Sequence, residues 1–188
     1  MASTSEIKNG LCIKHNHKLV QIIEFQHVKP GKGPAFVRTK LRGIEDGRVV
    51  DHTFPSGHKI DIVRIENRSY QFLYKEGEGY HFMNTSNYEQ IYIDGKMIQK
   101  PEFIKEGDVS TIIFHAEEEL PLLVEQAQFM EAEVTYTEPG IKGDTATNTM
   151  KPATINTGAE IRVPLFINTG DNIKVDIHKG VYVERIKS

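Results

Sequence analysis

The stretch VKPGKGPAFVRTKLR, residues 28–42, decides how the first part of the chain folds. Lys32 stands between Gly31 and Gly33, and Pro30 and Pro34 bracket that trio. Proline fixes φ and removes an N–H, while glycine admits backbone conformations other residues avoid, so this segment continues neither a helix nor a central strand. It must be a loop. Before it, Leu19, Val20, Ile22, Ile23, Phe25 and Val28 read as strand; after it, Ala35, Val37, Thr39 and Leu41 alternate with Phe36, Arg38, Lys40 and Arg42. The expectation is a β-hairpin with Lys32 at its tip, one face of the second strand carrying Phe36, Arg38, Lys40 and Arg42.

Outward from the hairpin, turn signals recur at Asn9-Gly10, at HNHK (15–18), at Asp46-Gly47 and at Pro55 to Gly57. Strands are expected at Val49 to Phe54 and Lys59 to Arg64, and helical periodicity is hard to find, which predicts a small, partly open β-barrel over residues 1–64. Further on, PEFIKEGDV from Pro101 and PLFINTGDN from Pro164 repeat Pro, Phe-Ile and Gly-Asp at an offset of 63 residues, each leading into an extended run. Such a repeat implies two similar β domains. The chain is thus divided into 1–64, 65–127 and 128–188: three consecutive small barrels, each about 25–30 Å across and together roughly 80 Å long. LPLLVEQAQ (120–128) fits a short helix or a strand, Glu117 to Glu119 read as a solvated edge, and residues 142–158 as a long exposed loop.

Hydrophobic content of 38% with 26% charged residues describes an ordinary soluble protein. The net charge of −3 is unevenly spread: residues 1–64 hold 11 Lys+Arg against 6 Asp+Glu, residues 65–127 hold 5 against 12, and the remainder 7 against 8. A basic contact surface at one end is expected. The single Cys12 rules out an internal disulfide and a cysteine-built zinc site. With no apolar run at the start and none of membrane-spanning length later, the cytoplasm is the expected location, without membrane association.

Catalytic signatures fail one by one. The lysine loop lacks the GxxxxGK[ST] order and the following helix of a phosphate-binding loop. His115-Ala116-Glu117 resembles half of a zinc-deaminase motif whose PCxxC half is missing. The expectation is no enzyme, no catalytic residue, no metal and no cofactor. The basic strand leaves two readings open: an edge strand protected by positive charge, or a surface tracking a nucleic-acid backbone, with Lys29 and Lys32 extending the charge of Arg38, Lys40 and Arg42 to the tip.

PGKGPAFVRTKLR (30–42) closely resembles the modified-lysine loop of the bacterial translation elongation factor P family. YHFMNTSNYEQ (80–90) resembles that family's second-domain signature; GDT (143–145), KPATINTGAEIRVPLFINTGD (151–171) and IKVDIHKGVYVERIK (173–187) resemble its third. The related initiation factor 5A has only the first two domains, and the repeat beginning near 128 argues against it. The resemblance implies an SH3-like, KOW-type barrel followed by two OB-folds in an elongated L. It implies a monomer that binds the ribosome between the peptidyl and exit sites, next to peptidyl-tRNA, and promotes bond formation at consecutive prolines. Lys32 would point to the tRNA acceptor end and be the target of a lysine-modifying enzyme, within a framework of Pro30, Gly31, Gly33 and Pro34. Gly143, Asp144 and Thr145 would contact the exit-site region, and Tyr182 and Arg185 peptidyl-tRNA. Alternatives are a paralogue serving other arrest sequences, and a general single-strand RNA-binding OB-fold protein.

Overall fold

The structure, a computed structural model, describes residues 2–140 and 150–186. Within them the fold is all-β, with three sheets and short 3-10 turns but no α-helix. The first sheet is built from β1 (Ala2–Ser3), β2 (Cys12–His15), β3 (Lys18–Val28), β4 (Phe36–Gly43), β5 (Val49–Pro55) and β6 (Lys59–Ile62), in the order β1-β6-β2-β3-β4-β5. Alternation along β4 explains its place: Val37, Thr39 and Leu41 are buried, while Arg38, Lys40 and Arg42 are exposed. The inward side chains join Ile13, Val20, Ile22, Phe54 and Ile60 in one core, where each large aliphatic contributes about 1.5–3 kcal/mol by leaving water. Thr39, the polar member of that face, donates to the His52 carbonyl at 2.8 Å. Thr4 ties the two ends of the sheet together, donating to Pro55 O at 3.4 Å and accepting from Gly57 N at 2.8 Å. The result is barrel-like.

The second sheet follows as β7 (Ile65–Glu76), β8 (Gly79–Asn84), β9 (Gln90–Asp94), β10 (Val109–His115) and β11 (Leu120–Glu125), ordered β11-β10-β7-β8-β9. The third holds β12 (Phe129–Thr137), β13 (Met150–Ile155), β14 (Glu160–Pro164), β15 (Asn172–Asp176) and β16 (Val181–Arg185), ordered β14-β13-β12-β15-β16, its two end strands β14 and β16 lying near each other. By contact density the chain forms two compact units, one of Met1–Arg68 with Ile112–Leu123 and one of Ser69–Thr111 with Val124–Ser188. In the first, Cys12, Ile44, Ile113 and Leu123 make a second apolar cluster. In the second, Met130, Val134, Ile155, Val163, Ile167 and Ile173 centre a core that Phe103 also enters.

The sequence repeat is a repeated turn. In the first copy Ile104 N donates to Pro101 O and Asp108 Oδ2 accepts from Lys105 N; in the second, Ile167 N donates to Pro164 O and Asp171 Oδ2 accepts from Asn168 N. Gly107 N then donates to Phe72 O and Gly170 N to Val134 O, both at 2.8 Å, delivering the chain to β10 and to β15. Both glycines need positive φ, +91° and +90°.

Two local expectations change. Of residues 142–158, expected as loop, Met150–Ile155 form β13, and 141–149 lie outside the described residues. The strand is disguised because Lys151 occupies a buried position, its ammonium donating to Glu138 O at 2.7 Å. The acidic run 117–119 is more than a solvated edge: Arg68 donates to both oxygens of Glu119 at 2.6 and 2.9 Å, reaches Glu66 at 2.9 Å, and lies 4.5 Å from the centre of the Phe114 ring. These bonds from Arg68 hold the Glu119 carboxyl below its usual range. LPLLVEQAQ resolves as strand up to Glu125.

No atom lies within 4 Å of a Cβ built at Gly170, and only the Gln71 amide nitrogen, at 4.0 Å, approaches one built at Gly107. The cost of a side chain there is therefore backbone strain alone. Gly107→Ala and Gly170→Ala are each expected to lower unfolding free energy by about 1–2 kcal/mol in urea titrations, and a neutral effect at either would show that the two turns are not equivalent.

Candidate nucleic-acid interface

β3 and β4 pair antiparallel from Val20↔Gly43 to Val28↔Phe36, with one irregularity between Ile22 and Glu24. Residues 29–35 connect them as a loop. Its base is held where Phe36 pairs with Pro55 and Ala35 O accepts from Ser56 N at 3.0 Å. Gly33 has φ +107°, a conformation that a residue with a side chain rarely adopts. Lys29, Gly31, Lys32, Gly33 and Pro34 are exposed, and Pro30 is half-buried. Among the described residues neither Lys29 nor Lys32 has a side-chain hydrogen bond or ion pair. The loop thus presents an uncompensated cation on a backbone stiffened by two prolines.

Below the loop, Arg38, Lys40 and Arg42 share the exposed face, and their surroundings differ. Arg38 has its guanidinium carbon 5.5 Å from the centre of the Phe36 ring, leaving its donors free for a phosphate. Lys40 is bound by Glu24 at 2.8 Å, and this hydrogen bond and charge, with Asp51 on the next strand, raise its pKa. Arg42 donates to Gln21 Oε1 at 2.8 Å. No acidic residue occurs between 25 and 44 in the chain, yet cross-strand pairing brings Glu24 and Asp51 beside Lys40. Strand pairing, which a linear reading cannot see, therefore leaves Arg38 free, ion-pairs Lys40 and holds Arg42 through a neutral amide that orients its guanidinium without cancelling its charge. Nor is β4 an edge strand guarding itself with charge, since β3 and β5 cover both its sides.

The remaining site residues lie elsewhere. Tyr182 and Arg185 are on β16, the edge of the third sheet. Tyr182 packs against the third core, where burial pushes its phenol up, and Arg185 lies 3.8 Å from Asp171. Gly143, Asp144 and Thr145 lie outside the described residues. Among the described residues no cluster of three or more His, Cys, Asp or Glu side chains is placed to hold a metal, and no helix is long and apolar enough to cross a membrane.

Because Lys40 is already ion-paired with Glu24, Arg38→Ala is expected to weaken binding to an RNA hairpin, and to reduce the salt slope, more than Lys40→Ala does. Glu24→Gln should strengthen it. Equal losses from Arg38→Ala and Lys40→Ala would contradict the division of the basic face.

Comparison with known proteins bears on the whole length. Residues 3–60 match the elongation factor P (EF-P) KOW-like domain, residues 65–124 the elongation factor P (EF-P) OB domain, and residues 130–185 the elongation factor P, C-terminal family. The chain is 56% identical over 187 residues to elongation factor P of Christiangramia forsetii and 57% identical to that of Flavobacterium psychrophilum, covering 100% of both partners in each case. It is 51% identical to elongation factor P 1 of Porphyromonas gingivalis, again over 100% of both chains. Among solved structures, eukaryotic translation initiation factor 5A from Methanococcus jannaschii superposes with a TM-score of 0.51 at 21% identity, over 65% of this chain and 92% of that one, a likeness of fold. An all-β chain whose KOW-like, OB and C-terminal segments occur in this order, at this identity to full-length relatives, belongs to the elongation factor P family of translation factors.

Proposed function

We propose that the protein binds the ribosome between the peptidyl and exit sites and promotes peptide-bond formation at consecutive prolines, with Lys32 at the acceptor end of peptidyl-tRNA. The observation carrying this reading is the exposed Lys32, without a partner among the described residues, on a loop clamped between two long paired strands. Membership of a translation-factor family supports the setting.

The physics concerns positioning. Proline's ring restricts the backbone, so the reacting amine and ester spend little time in attack geometry. A cation on a preorganised arm restrains the tRNA end and nascent chain without entering the chemistry, and the ribosome remains the catalyst. Lys32 supplies charge-assisted hydrogen bonds to backbone oxygens; Pro30 and Pro34 lower the ordering cost; Gly31 and Gly33 let the main chain approach RNA closely. Lys29, Arg38, Lys40 and Arg42 follow the acceptor stem, Arg38 most strongly. A host enzyme that extends the Lys32 amine would lengthen the arm, and the exposure of the loop gives it access.

On this reading the chain is a cytoplasmic monomer divided at 1–64, 65–127 and 128–188, with Tyr182, Arg185 and the 143–145 segment as secondary contacts to tRNA and the exit site. In a reconstituted translation reaction with a polyproline reporter, protein purified from its native host is expected to relieve stalling. Lys32→Ala should abolish relief while ribosome binding changes only severalfold. Relief that survives Lys32→Ala would overturn the assignment, and RNA affinity without any relief would favour a general single-strand RNA-binding role.

A further inference from the structure

On the second sheet three rings form one rung across three strands: Tyr74 of β7 is paired with His81 of β8, and His81 with Tyr92 of β9. Tyr74 and His81 stack, their centres 4.5 Å apart and their planes at 18°, and Tyr92 meets His81 edge-on at 5.6 Å. Tyr74 is 44% exposed and Tyr92 59%, unusual for large rings placed side by side. The floor beneath is shaped for them. Gly79 lies under Tyr92, and a Cβ there would run into that ring, so the missing side chain lets Tyr92 lie across the sheet.

The next rung is acidic at both ends, with Glu76 and Asp94 flanking Gly79. Glu76 Oε2 accepts from His81 Nε2 at 3.2 Å and Asp94 Oδ1 from Lys96 N at 2.9 Å, so each carboxylate keeps its other oxygen free of these bonds. Glu78 is exposed in the adjoining turn. Strand alternation sends Lys75 to the other face, where its ammonium lies 5.4 Å from the centre of the Tyr80 ring. The surrounding segment 65–127 carries 12 acidic against 5 basic residues.

We propose that this rung pair, Tyr74, His81 and Tyr92 beside Glu76 and Asp94, is a docking site for an arginine-rich segment of a basic protein. A guanidinium stacks on the exposed tyrosine faces and its donors fork into the acidic rung. Rings alone would equally accept RNA bases, but the phosphates would then meet Glu76, Glu78 and Asp94, and the charge complementarity selects a cationic polypeptide. The site is chemically independent of the Lys32 loop.

The test uses the full chain with a hexa-arginine peptide, its uncharged hexa-citrulline counterpart and an oligouridine, followed by calorimetry and by NMR of the tyrosine rings. Hexa-arginine is expected to bind in a salt-sensitive manner and to shift the Tyr74 and Tyr92 ring signals. The double variant Tyr74→Leu, Tyr92→Leu should weaken it by about tenfold, the size of two exposed cation–π contacts. Tyr92→Phe, which keeps the ring face, should bind like the unaltered protein, as should Lys32→Ala. Hexa-citrulline should not bind. Equal affinity in the double-leucine variant, together with Tyr74 and Tyr92 ring signals that do not shift in the unaltered protein, would reduce the effect to diffuse attraction and overturn the proposal. Oligouridine shifting the rings where hexa-arginine does not would overturn it in favour of RNA.

Discussion

The antiparallel pairing of β3 with β4 is the constraint on which the position of Lys32 depends. The register that buries Val37, Thr39 and Leu41 is the same register that turns Arg38, Lys40 and Arg42 outward, and a slip by one residue would exchange the two sets. The core of the first sheet therefore fixes the charge pattern of the candidate interface. Loop 29–35 inherits its direction from both strands and is tied at its base to the β5–β6 turn. Stiffness in the loop comes from its prolines; stiffness beneath it comes from burial.

Electrostatics is set by pairs that only folding creates. Glu24 and Asp51 come beside Lys40 across the sheet, and Glu119 comes to Arg68 from far along the chain. Both pairs are exposed on at least one side, so their worth is in orienting side chains more than in stability. The effect on the interface is selective: the charges nearest the loop stay available, while further down Lys40 is paired with Glu24.

Much of this was legible in the sequence because the relevant signals are local. The prolines and glycines around Lys32, the two-residue alternation of β4 and the turns at Asn9-Gly10, 15–18 and Asp46-Gly47 each act within a few residues. So does the Pro-Phe-Ile-Gly-Asp repeat, whose turns share their hydrogen bonds. What was not legible is long-range. The interior place of β4, the compensation of Lys40 and the aromatic rung of Tyr74, His81 and Tyr92 need strand neighbours that linear order does not reveal. β13 escaped for a different reason: a lysine whose ammonium reaches a carbonyl looks polar in sequence while occupying a core position.

The central claim, that Lys32 reaches the acceptor end of peptidyl-tRNA, is tested most directly by placing a photo-crosslinking amino acid at position 32 and irradiating the protein on ribosomes stalled at consecutive prolines. Crosslinks to the terminal nucleotides of peptidyl-tRNA are predicted. Crosslinks confined to ribosomal components away from that end, with the same protein bound, would contradict the account.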